Sequence, residues 1–182
     1  MMRVTELNLE EVLLLEVEEY EDNRGVFYRN FSQRELDAIG ITKPFVEERL
    51  YCISKAETLY GIHFQNNPKP QAKLLYCIKG WGLDFAIDLR KDSETYKQWV
   101  CVEISENDRK QVYVPAGFGH LFLAMEDDTR LVFRIDEYFD PELSRSISYK
   151  DEEIGLKIDL DNPILSKQDA QAPSLRDSDC NL

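Results

Sequence analysis

The chain contains only two histidines, His63 and His120, and each lies in a short glycine-containing segment. His63 belongs to residues 59–65 (LYGIHFQ), and His120 ends residues 114–120 (VPAGFGH). Imidazole is the one side chain whose ordinary pKa lets it gain and lose a proton near neutral pH. Any general acid–base chemistry by histidine is therefore confined to these two positions.

Two polar residues stand alone between apolar neighbours in strand-like segments. His63 lies between Ile62 and Phe64, and Asp84 lies in LDFAIDL, residues 83–89. In a β-barrel, side chains alternate between the two faces, so such a residue points into the interior. Taken alone, such a residue is more often a hydrogen-bonded structural residue than a catalyst, and local context leaves both readings open.

The composition is that of a globular protein with one domain. The chain has 182 residues, of which 43% are hydrophobic and 31% are charged, which is ordinary for such domains. No apolar run approaches the roughly 18 residues that a membrane helix needs, and the first residues lack the pattern of a signal peptide. We therefore expect a cytoplasmic protein that does not bind a membrane.

Charge and cysteine content exclude two further classes of protein. The formal net charge of −13 argues against a general nucleic-acid-binding surface, although an anionic small ligand can still meet a local basic cluster. The four cysteines form no Cys-x-x-Cys motif. At this chain length they indicate free thiols in a reducing compartment rather than a disulfide framework.

The middle of the chain predicts many short strands. Residues 83–89 alternate with period two, so that Leu83, Phe85 and Ile87 share one face. Residues 120–125 and 129–135 predict a hairpin around the acidic turn 126–128. Short strands at this spacing favour an all-β sandwich or barrel.

Two short helices complete the predicted elements. Ser32 can cap a helix over residues 33–39 that stops at Gly40. Residues 166–169 (SKQD) match a capping box for a helix that ends before Pro173. We expect a single domain over residues 1–175 and a disordered tail over residues 176–182.

Six segments occur in a fixed order along the chain: 22–27 (DNRGVF), 61–65 (GIHFQ), 71–74 (QAKL), 84–90 (DFAIDLR), 115–120 (PAGFGH) and 165–169 (LSKQD). Their order and spacing resemble the dTDP-4-dehydrorhamnose 3,5-epimerase family of nucleotide-sugar epimerases. The resemblance implies a mainly β, cupin-like jelly roll. It also implies a homodimer that exchanges strands between subunits, and an active site that uses neither metal nor cofactor. Two histidines are indeed too few for the histidine-rich site of metal-binding cupins.

The family's chemistry explains which residue types its site needs. The substrate carries a 4-keto group, which makes the hydrogens on C3 and C5 acidic. A base removes one hydrogen to give an enolate, and protonation on the other face inverts the centre. The resemblance implies that His63 is the base and that Asp169 orients it. The alternative for Asp169 is that its side chain only completes the capping box of Ser166.

The resemblance assigns further residues to the site. Lys73 matches a lysine that stabilises the enolate oxygen, and Arg24 matches an arginine that contacts the phosphates. His120 matches a histidine that lines the site, and Gln65 belongs with the substrate-binding residues. The alternatives are a strand-edge lysine for Lys73, a turn residue for Arg24 and a loop-packing residue for His120.

The chain departs from the family pattern at four places. Phe133 replaces the tyrosine that donates the second proton, and Tyr60 replaces an active-site arginine. Arg29 replaces a glutamate near the nucleotide base, and the nearby glutamine appears as Glu47 or Glu48. The first two changes put double epimerisation in doubt. The other two put thymidine as the base in doubt, because they exchange hydrogen-bond donors and acceptors.

Three functions are compatible with these departures. The first is a variant epimerase of a 4-keto-6-deoxy nucleotide sugar, acting at C3, C5 or both, in deoxysugar or surface polysaccharide biosynthesis. Its second proton would come from Tyr60, Tyr138 or water. The second is a keto-sugar isomerase with the same base, and the third is a non-catalytic nucleotide-sugar-binding protein. The presence of His63, Lys73 and Asp169 together argues against the third, and we prefer the first.

Overall fold

A computed structural model describes residues 3–9 and 11–182, so Met1, Met2 and Glu10 of the predicted domain lie outside the described residues. The described part contains thirteen strands and two short helices. None of the helices in this part is long and apolar enough to cross a membrane. The strands are β1 Arg3–Glu6, β2 Leu13–Glu16, β3 Glu19–Asp22, β4 Gly25–Tyr28, β5 Glu47–Ile53, β6 Leu59–Gln65, β7 Lys73–Lys79, β8 Trp81–Asp88, β9 Trp99–Ser105, β10 Lys110–Val114, β11 Phe118–Ala124, β12 Thr129–Ile135 and β13 Ser144–Ser146.

Two antiparallel sheets form the body of the protein. The larger sheet has the strand order β1-β2-β10-β7-β12-β5, and the smaller one has the order β13-β6-β11-β8-β9. Strands β3 and β4 form a separate hairpin. A buried cluster that includes Leu75, Val112, Phe118 and Phe122 draws on strands of both sheets. The prediction of a mainly β sandwich with a few short helices is confirmed.

The predicted hairpin between residues 120–125 and 129–135 is wrong. Strand β11 pairs with β6 and β8 in the five-stranded sheet, whereas β12 pairs with β5 and β7 in the six-stranded sheet. The acidic turn between them carries the chain from one sheet to the other. Alternation and a turn signal look the same for a hairpin and for such a crossing, because neither pattern specifies the pairing partner.

The five-stranded sheet is buried on both faces. Phe85, Ile87, Leu121 and Leu123 lie in a cluster with C-terminal residues that include Leu175. The side chains that alternate with them, such as Ala86 and Phe122, belong to the cluster between the sheets. The period-two pattern of β8 is therefore confirmed, but its apolar face packs under the C-terminal segment.

The two helices differ in their caps. Helix α1 spans Gln33–Ala38, and Ser32 has extended backbone angles but makes no side-chain cap hydrogen bond. Helix α2 spans Lys167–Ala170, and the Oγ of Ser166 accepts a hydrogen bond from the Asp169 amide at 3.0 Å. The cap predicted from residues 166–169 is confirmed, whereas the Ser32 cap is not formed by its side chain.

The last seven residues pack against the body, contrary to the disordered tail expected from the sequence. Cys180 is buried, and Asp179 forms an ion pair with Arg145. Asn181 accepts a hydrogen bond from the Asn67 amide at 2.8 Å. The tail looks polar in sequence, yet Cys180 and Leu182 complete the apolar cover of the five-stranded sheet.

Candidate active site

Strand pairing places the two histidines side by side. In the antiparallel pair β6–β11, His63 is the direct register partner of His120. The next register pair joins Tyr60 to Phe122, so β6 advances three residues while β11 advances two. This β-bulge puts the Tyr60 and His63 side chains on the same face, whereas strict alternation would separate them.

Gly61 lies in the bulge and allows the two strands to approach closely. Its φ is +118°, and a Cβ built on it would lie 2.4 Å from the carbonyl oxygen of His120. Only glycine tolerates both the backbone angle and the contact. The glycine of the GIHFQ segment is therefore a structural requirement for the arrangement of the two histidines.

A cavity between the two sheets contains His63 at its centre. Its inner chamber has a volume of about 50 Å³ and is lined by Tyr51, Ile53, Tyr60, His63, Lys73, His120, Phe122, Leu131 and Phe133. Its mouth has a volume of about 210 Å³ and is lined by residues that include Arg49, Phe64, Gln71 and Phe139. Both parts share Tyr51, His63, Lys73 and Phe133. A ligand that enters through the mouth therefore meets these four side chains.

His63 and Asp169 form a dyad at the cavity wall. The Nε2 of His63 lies 2.6 Å from the Asp169 Oδ1, and Asp169 is buried while 38% of the His63 side chain is exposed. The second carboxylate oxygen of Asp169 accepts a hydrogen bond from the Ser166 hydroxyl at 2.9 Å. The sequence left a choice between cap and dyad for Asp169. The carboxylate contributes to both, because it has two oxygens.

The dyad determines which nitrogen of His63 can act as a base. A neutral imidazole that donates from Nε2 to a carboxylate carries its lone pair on Nδ1. The carboxylate holds the ring in this tautomer and stabilises the imidazolium that forms when Nδ1 takes a proton. The arrangement can therefore remove a proton from carbon in a substrate bound in the cavity.

His120 forms a second and deeper pair with Asp84. Its Nε2 lies 2.6 Å from the Asp84 Oδ2, and only 7% of the His120 side chain and none of the Asp84 side chain is exposed. The ring of His120 lies 5.8 Å from that of Phe133. Asp84 thus faces the interior as its place in the sequence predicted, and it holds His120 against the inner chamber.

Lys73 brings a cation into the same cavity. The side chain is buried, and its Nζ donates a hydrogen bond to the main-chain oxygen of His63 at 2.9 Å. Burial lowers the pKa of Lys73 to about 8, although the charges of Asp84 and Asp136 oppose this change. A charge in a poorly solvated site stabilises a developing oxyanion more strongly than it would in water.

The six-stranded sheet contributes the opposite wall of the cavity. This wall contains Tyr51, which the sequence analysis did not single out. Alternation along β5 places Glu47, Arg49 and Tyr51 on the cavity side and Glu48 and Leu50 on the outer side. Glu48 accordingly forms an ion pair with Arg134 at 2.5 Å rather than lining the cavity. Period-two alternation marks Tyr51 as a member of one face, but nothing in the sequence states that this face meets His63.

Some predicted site residues are not brought to the cavity. Tyr138 is 64% exposed and lines neither chamber. Gln65 is buried, donates to the carbonyl oxygens of Lys69 and Tyr138, and accepts from the Asp140 amide. Its hydrogen-bonding groups therefore hold loops together, and the structure does not place Gln65 against a substrate.

Two predicted phosphate and nucleotide contacts also lie outside this cavity. Arg24 is exposed in the turn of the β3–β4 hairpin, where it binds the carboxylate of Asp22. Arg29 follows this hairpin and forms an ion pair with Glu35 at 3.3 Å. Within the described residues, no group of three or more His, Cys, Asp or Glu side chains has a metal-binding arrangement.

Comparison with known proteins gives one consistent result. A family model described as dTDP-4-dehydrorhamnose 3,5-epimerase matches residues 6–177. The enzyme of that name from Salmonella typhimurium is 35% identical over 177 residues, which cover 96% of each protein. The one from Pseudomonas aeruginosa is 34% identical and covers 98% of this chain and 99% of its own length.

Solved structures agree with the sequence comparison. The dTDP-4-dehydrorhamnose 3,5-epimerase from Bacillus anthracis, with TDP and PPi bound, has a TM-score of 0.92 and 34% identity, covering 96% of this chain and 99% of that one. ChmJ, a 3′-monoepimerase from Streptomyces bikiniensis in complex with dTDP-quinovose, has a TM-score of 0.86 and 31% identity. It covers 94% of this chain and 87% of its own.

Proposed function

The chain belongs to the dTDP-4-dehydrorhamnose 3,5-epimerase family, and from this premise we propose that His63 and Lys73 carry out its chemistry. The protein is a cupin-like nucleotide-sugar epimerase of deoxysugar biosynthesis. The observation that carries the assignment of residues is the His63–Asp169 dyad, which opens into a cavity that also holds the buried Lys73.

In the first half of the reaction, a carbon next to the 4-keto group loses its proton. The Nδ1 of His63 accepts that proton, and Asp169 stabilises the imidazolium across the 2.6 Å contact. The ammonium of Lys73 stabilises the negative charge that moves onto the ketone oxygen. His120 and Phe133 shape the inner chamber around the sugar ring.

In the second half, a proton must reach the opposite face of the same carbon. Phe133 lacks an acidic proton, so it cannot serve as the donor. Of the two tyrosines that the sequence suggested, Tyr60 lines the inner chamber, whereas Tyr138 is 64% exposed outside it. The donor therefore has to be a phenol in the cavity or a bound water. Whether C3, C5 or both are inverted depends on which of these carbons the donor can reach.

The nucleotide end of the substrate would lie at the mouth, and we infer that a second subunit completes it. Arg24 and Arg29 lie at an exposed hairpin that also presents Val26, Phe27 and Tyr28 to solvent. Exposed apolar patches of this kind are typical of subunit interfaces. A homodimer that exchanges this hairpin would bring Arg24 to the partner's phosphates and Arg29 to the partner's nucleotide pocket.

A cytoplasmic location fits the same proposal. The four cysteines are all free thiols, two of them buried and two exposed. Free exposed thiols persist in a reducing compartment and are oxidised readily outside it.

The first test is proton NMR in deuterated water. The purified protein is mixed with dTDP-4-keto-6-deoxyglucose and, in separate samples, with its CDP and GDP counterparts. We expect the C3 or C5 hydrogen signal to disappear with one of them, and His63→Asn should abolish this exchange. Exchange that persists in a folded His63→Asn protein would contradict the assignment of the base, and exchange with none of the three would contradict the function.

A keto-sugar isomerase is the second candidate, and Phe133 is the observation that favours it. Isomerisation through an enediol needs no acid on the face opposite His63. The same NMR samples distinguish the two, because an isomerase moves the carbonyl from C4 to C3, whereas an epimerase keeps it at C4.

A further inference from the structure

Inversion requires the base and the acid to lie on opposite sides of the sugar ring. His63 lies on β6 of the five-stranded sheet, and Phe133 lies on β12 of the six-stranded sheet, across the cavity. Tyr60 also lies on β6, only three residues from His63, and the bulge puts both side chains on one wall. A proton that comes from Tyr60 therefore approaches from the wall of the base, which favours return to the original face.

Tyr51 lies on the wall opposite His63, which is the side from which a proton must come for inversion. Its strand β5 pairs with β12, with Tyr51 opposite Leu131 and Arg49 opposite Phe133. Tyr51 is thus a diagonal neighbour of Phe133 on the same face, and their ring centroids are 5.9 Å apart. Tyr51 also lines both the inner chamber and the mouth, together with His63 and Lys73.

Arg49 supplies the charge that a donating phenol needs. Arg49 is two residues from Tyr51 on the same face of β5 and lines the mouth, where its guanidinium donates a hydrogen bond to the Glu47 carboxylate at 2.6 Å. A guanidinium close to a phenol favours the phenolate that remains after proton donation.

We propose that Tyr51 is the catalytic acid that protonates the enolate on the face opposite His63. The inference rests on the proposed epimerase function. The O–H bond of Tyr51 breaks, a C–H bond forms at C3 or C5, and the electron pair of the enolate oxygen returns to the carbonyl. Arg49 stabilises the phenolate, while His63 holds the proton removed from the other face. Both groups then return to their starting states by proton exchange with water at the mouth.

The test compares Tyr51→Phe with Tyr60→Phe, which probes the competing donor, on the full-length protein in deuterated water. Tyr96→Phe is the control, because Tyr96 packs in the cluster on the other face of the five-stranded sheet. Two rates are measured with the accepted nucleotide sugar, namely the exchange of the C3 or C5 hydrogen and the formation of the inverted product. Loss of a general acid reduces rates by about 10² to 10⁴-fold. We expect Tyr51→Phe to lose inversion by at least about 100-fold while exchange continues, because His63 still removes and returns the proton on one face. Tyr96→Phe should keep inversion within a few fold, and the inversion rate of Tyr60→Phe shows whether the phenol on the wall of His63 contributes.

Any other result would contradict the assignment of Tyr51 as the acid. Inversion at the wild-type rate in Tyr51→Phe excludes Tyr51 as the donor. A parallel loss of exchange and inversion indicates a structural role, and a selective loss of inversion in Tyr60→Phe assigns the donor to Tyr60. Absence of exchange in the wild-type protein would be a distinct result, because it would refute the epimerase function itself and this inference with it.

Discussion

At the scale of single residues, the two histidine–carboxylate pairs have similar geometry but different access to solvent. Each pair has an Nε2–oxygen distance of 2.6 Å, but 38% of the His63 side chain is exposed against 7% for His120. A base must release its proton to water after each cycle. His63 meets this requirement, whereas the enclosed His120–Asp84 pair is suited to holding a donor in a fixed position.

The two roles of Asp169 can be separated by mutation. Asp169→Asn removes the charge that stabilises the His63 imidazolium, so hydrogen exchange should fall by about 10² to 10⁴-fold. Ser166→Ala removes the cap and one hydrogen bond to the Asp169 carboxylate but keeps the charge of that carboxylate. It should cost about 1 kcal/mol of stability and slow exchange far less than Asp169→Asn does. Exchange by NMR and thermal unfolding measure the two effects. Equal exchange rates in Asp169→Asn and the wild type would exclude Asp169 from the dyad.

The buried Lys73 predicts a loss of activity at alkaline pH. Its pKa is lowered to about 8, so the side chain is an ammonium below this pH and a neutral amine above it. The enolate loses its stabilising charge as the pH rises, and the exchange rate should therefore fall above pH 8. The rate is measured between about pH 6 and 9.5.

Lys73→Met is the matched variant for this pH profile. It should be slower by about 10² to 10³-fold, and its residual rate should lack the alkaline decrease. A wild-type rate that stays constant through pH 8 would contradict the role of the Lys73 charge.

At the scale of elements, the bulge in β6 decides what the strand presents to the cavity. In a regular strand, Tyr60 and His63, three positions apart, would lie on opposite faces of the sheet. The bulge depends on Gly61, whose φ of +118° is accompanied by a close approach to the carbonyl of His120. Gly61 therefore affects both the pairing of β6 with β11 and the positions of Tyr60 and His63 in the cavity.

Gly61→Ala tests this coupling. The added Cβ would meet the His120 oxygen at 2.4 Å, so the strands must separate, and we expect a loss of about 2–4 kcal/mol together with slower exchange. Gly155→Ala is the control, because Gly155 also has a positive φ, of +62°, but the nearest atom to its added Cβ would be the main-chain oxygen of Glu152 at 3.8 Å. It should cost only about 1–2 kcal/mol. Urea unfolding compares the two, and equal losses would argue against the contact.

At the scale of the whole molecule, the two sheets are covered to different extents. The C-terminal segment covers the outer face of the five-stranded sheet, whereas α1 covers only part of the six-stranded sheet. Leu50 and Ile78 remain exposed on that outer face. We propose that a second copy of the chain covers this outer face. The same copy would also contact the exposed β3–β4 hairpin.

Leu50→Asp should weaken this proposed dimer. A charge at an apolar interface loses its hydration when the subunits associate, which is costly if it stays unpaired. Light scattering should give twice 21.3 kDa for the wild type and a concentration-dependent shift toward 21.3 kDa for the variant. Ile164→Asp changes another exposed aliphatic residue and should leave the mass unchanged. A wild-type mass of one chain would contradict the dimer.

Some features of the fold depend only on neighbours along the chain, and the sequence was sufficient to predict them. The alternation of β8, the cap of α2 and the interior position of Asp84 follow from periodicity and from hydrogen bonds within a few residues. The ordered motifs around His63, Lys73 and Asp169 also identified the family. These features need no knowledge of strand pairing, because the groups involved are close along the chain.

Which side chains share the cavity depends on strand pairing between distant parts of the chain. The dyad joins residues separated by 106 positions, and the crossing between β11 and β12 replaced the hairpin that the turn at residues 126–128 suggested. Tyr51 entered the site, while Glu48 and Tyr138 did not, because strand partners and a bulge determine which face meets His63. Such pairings are set by burial and hydrogen bonding over the whole fold, and a local pattern does not encode them.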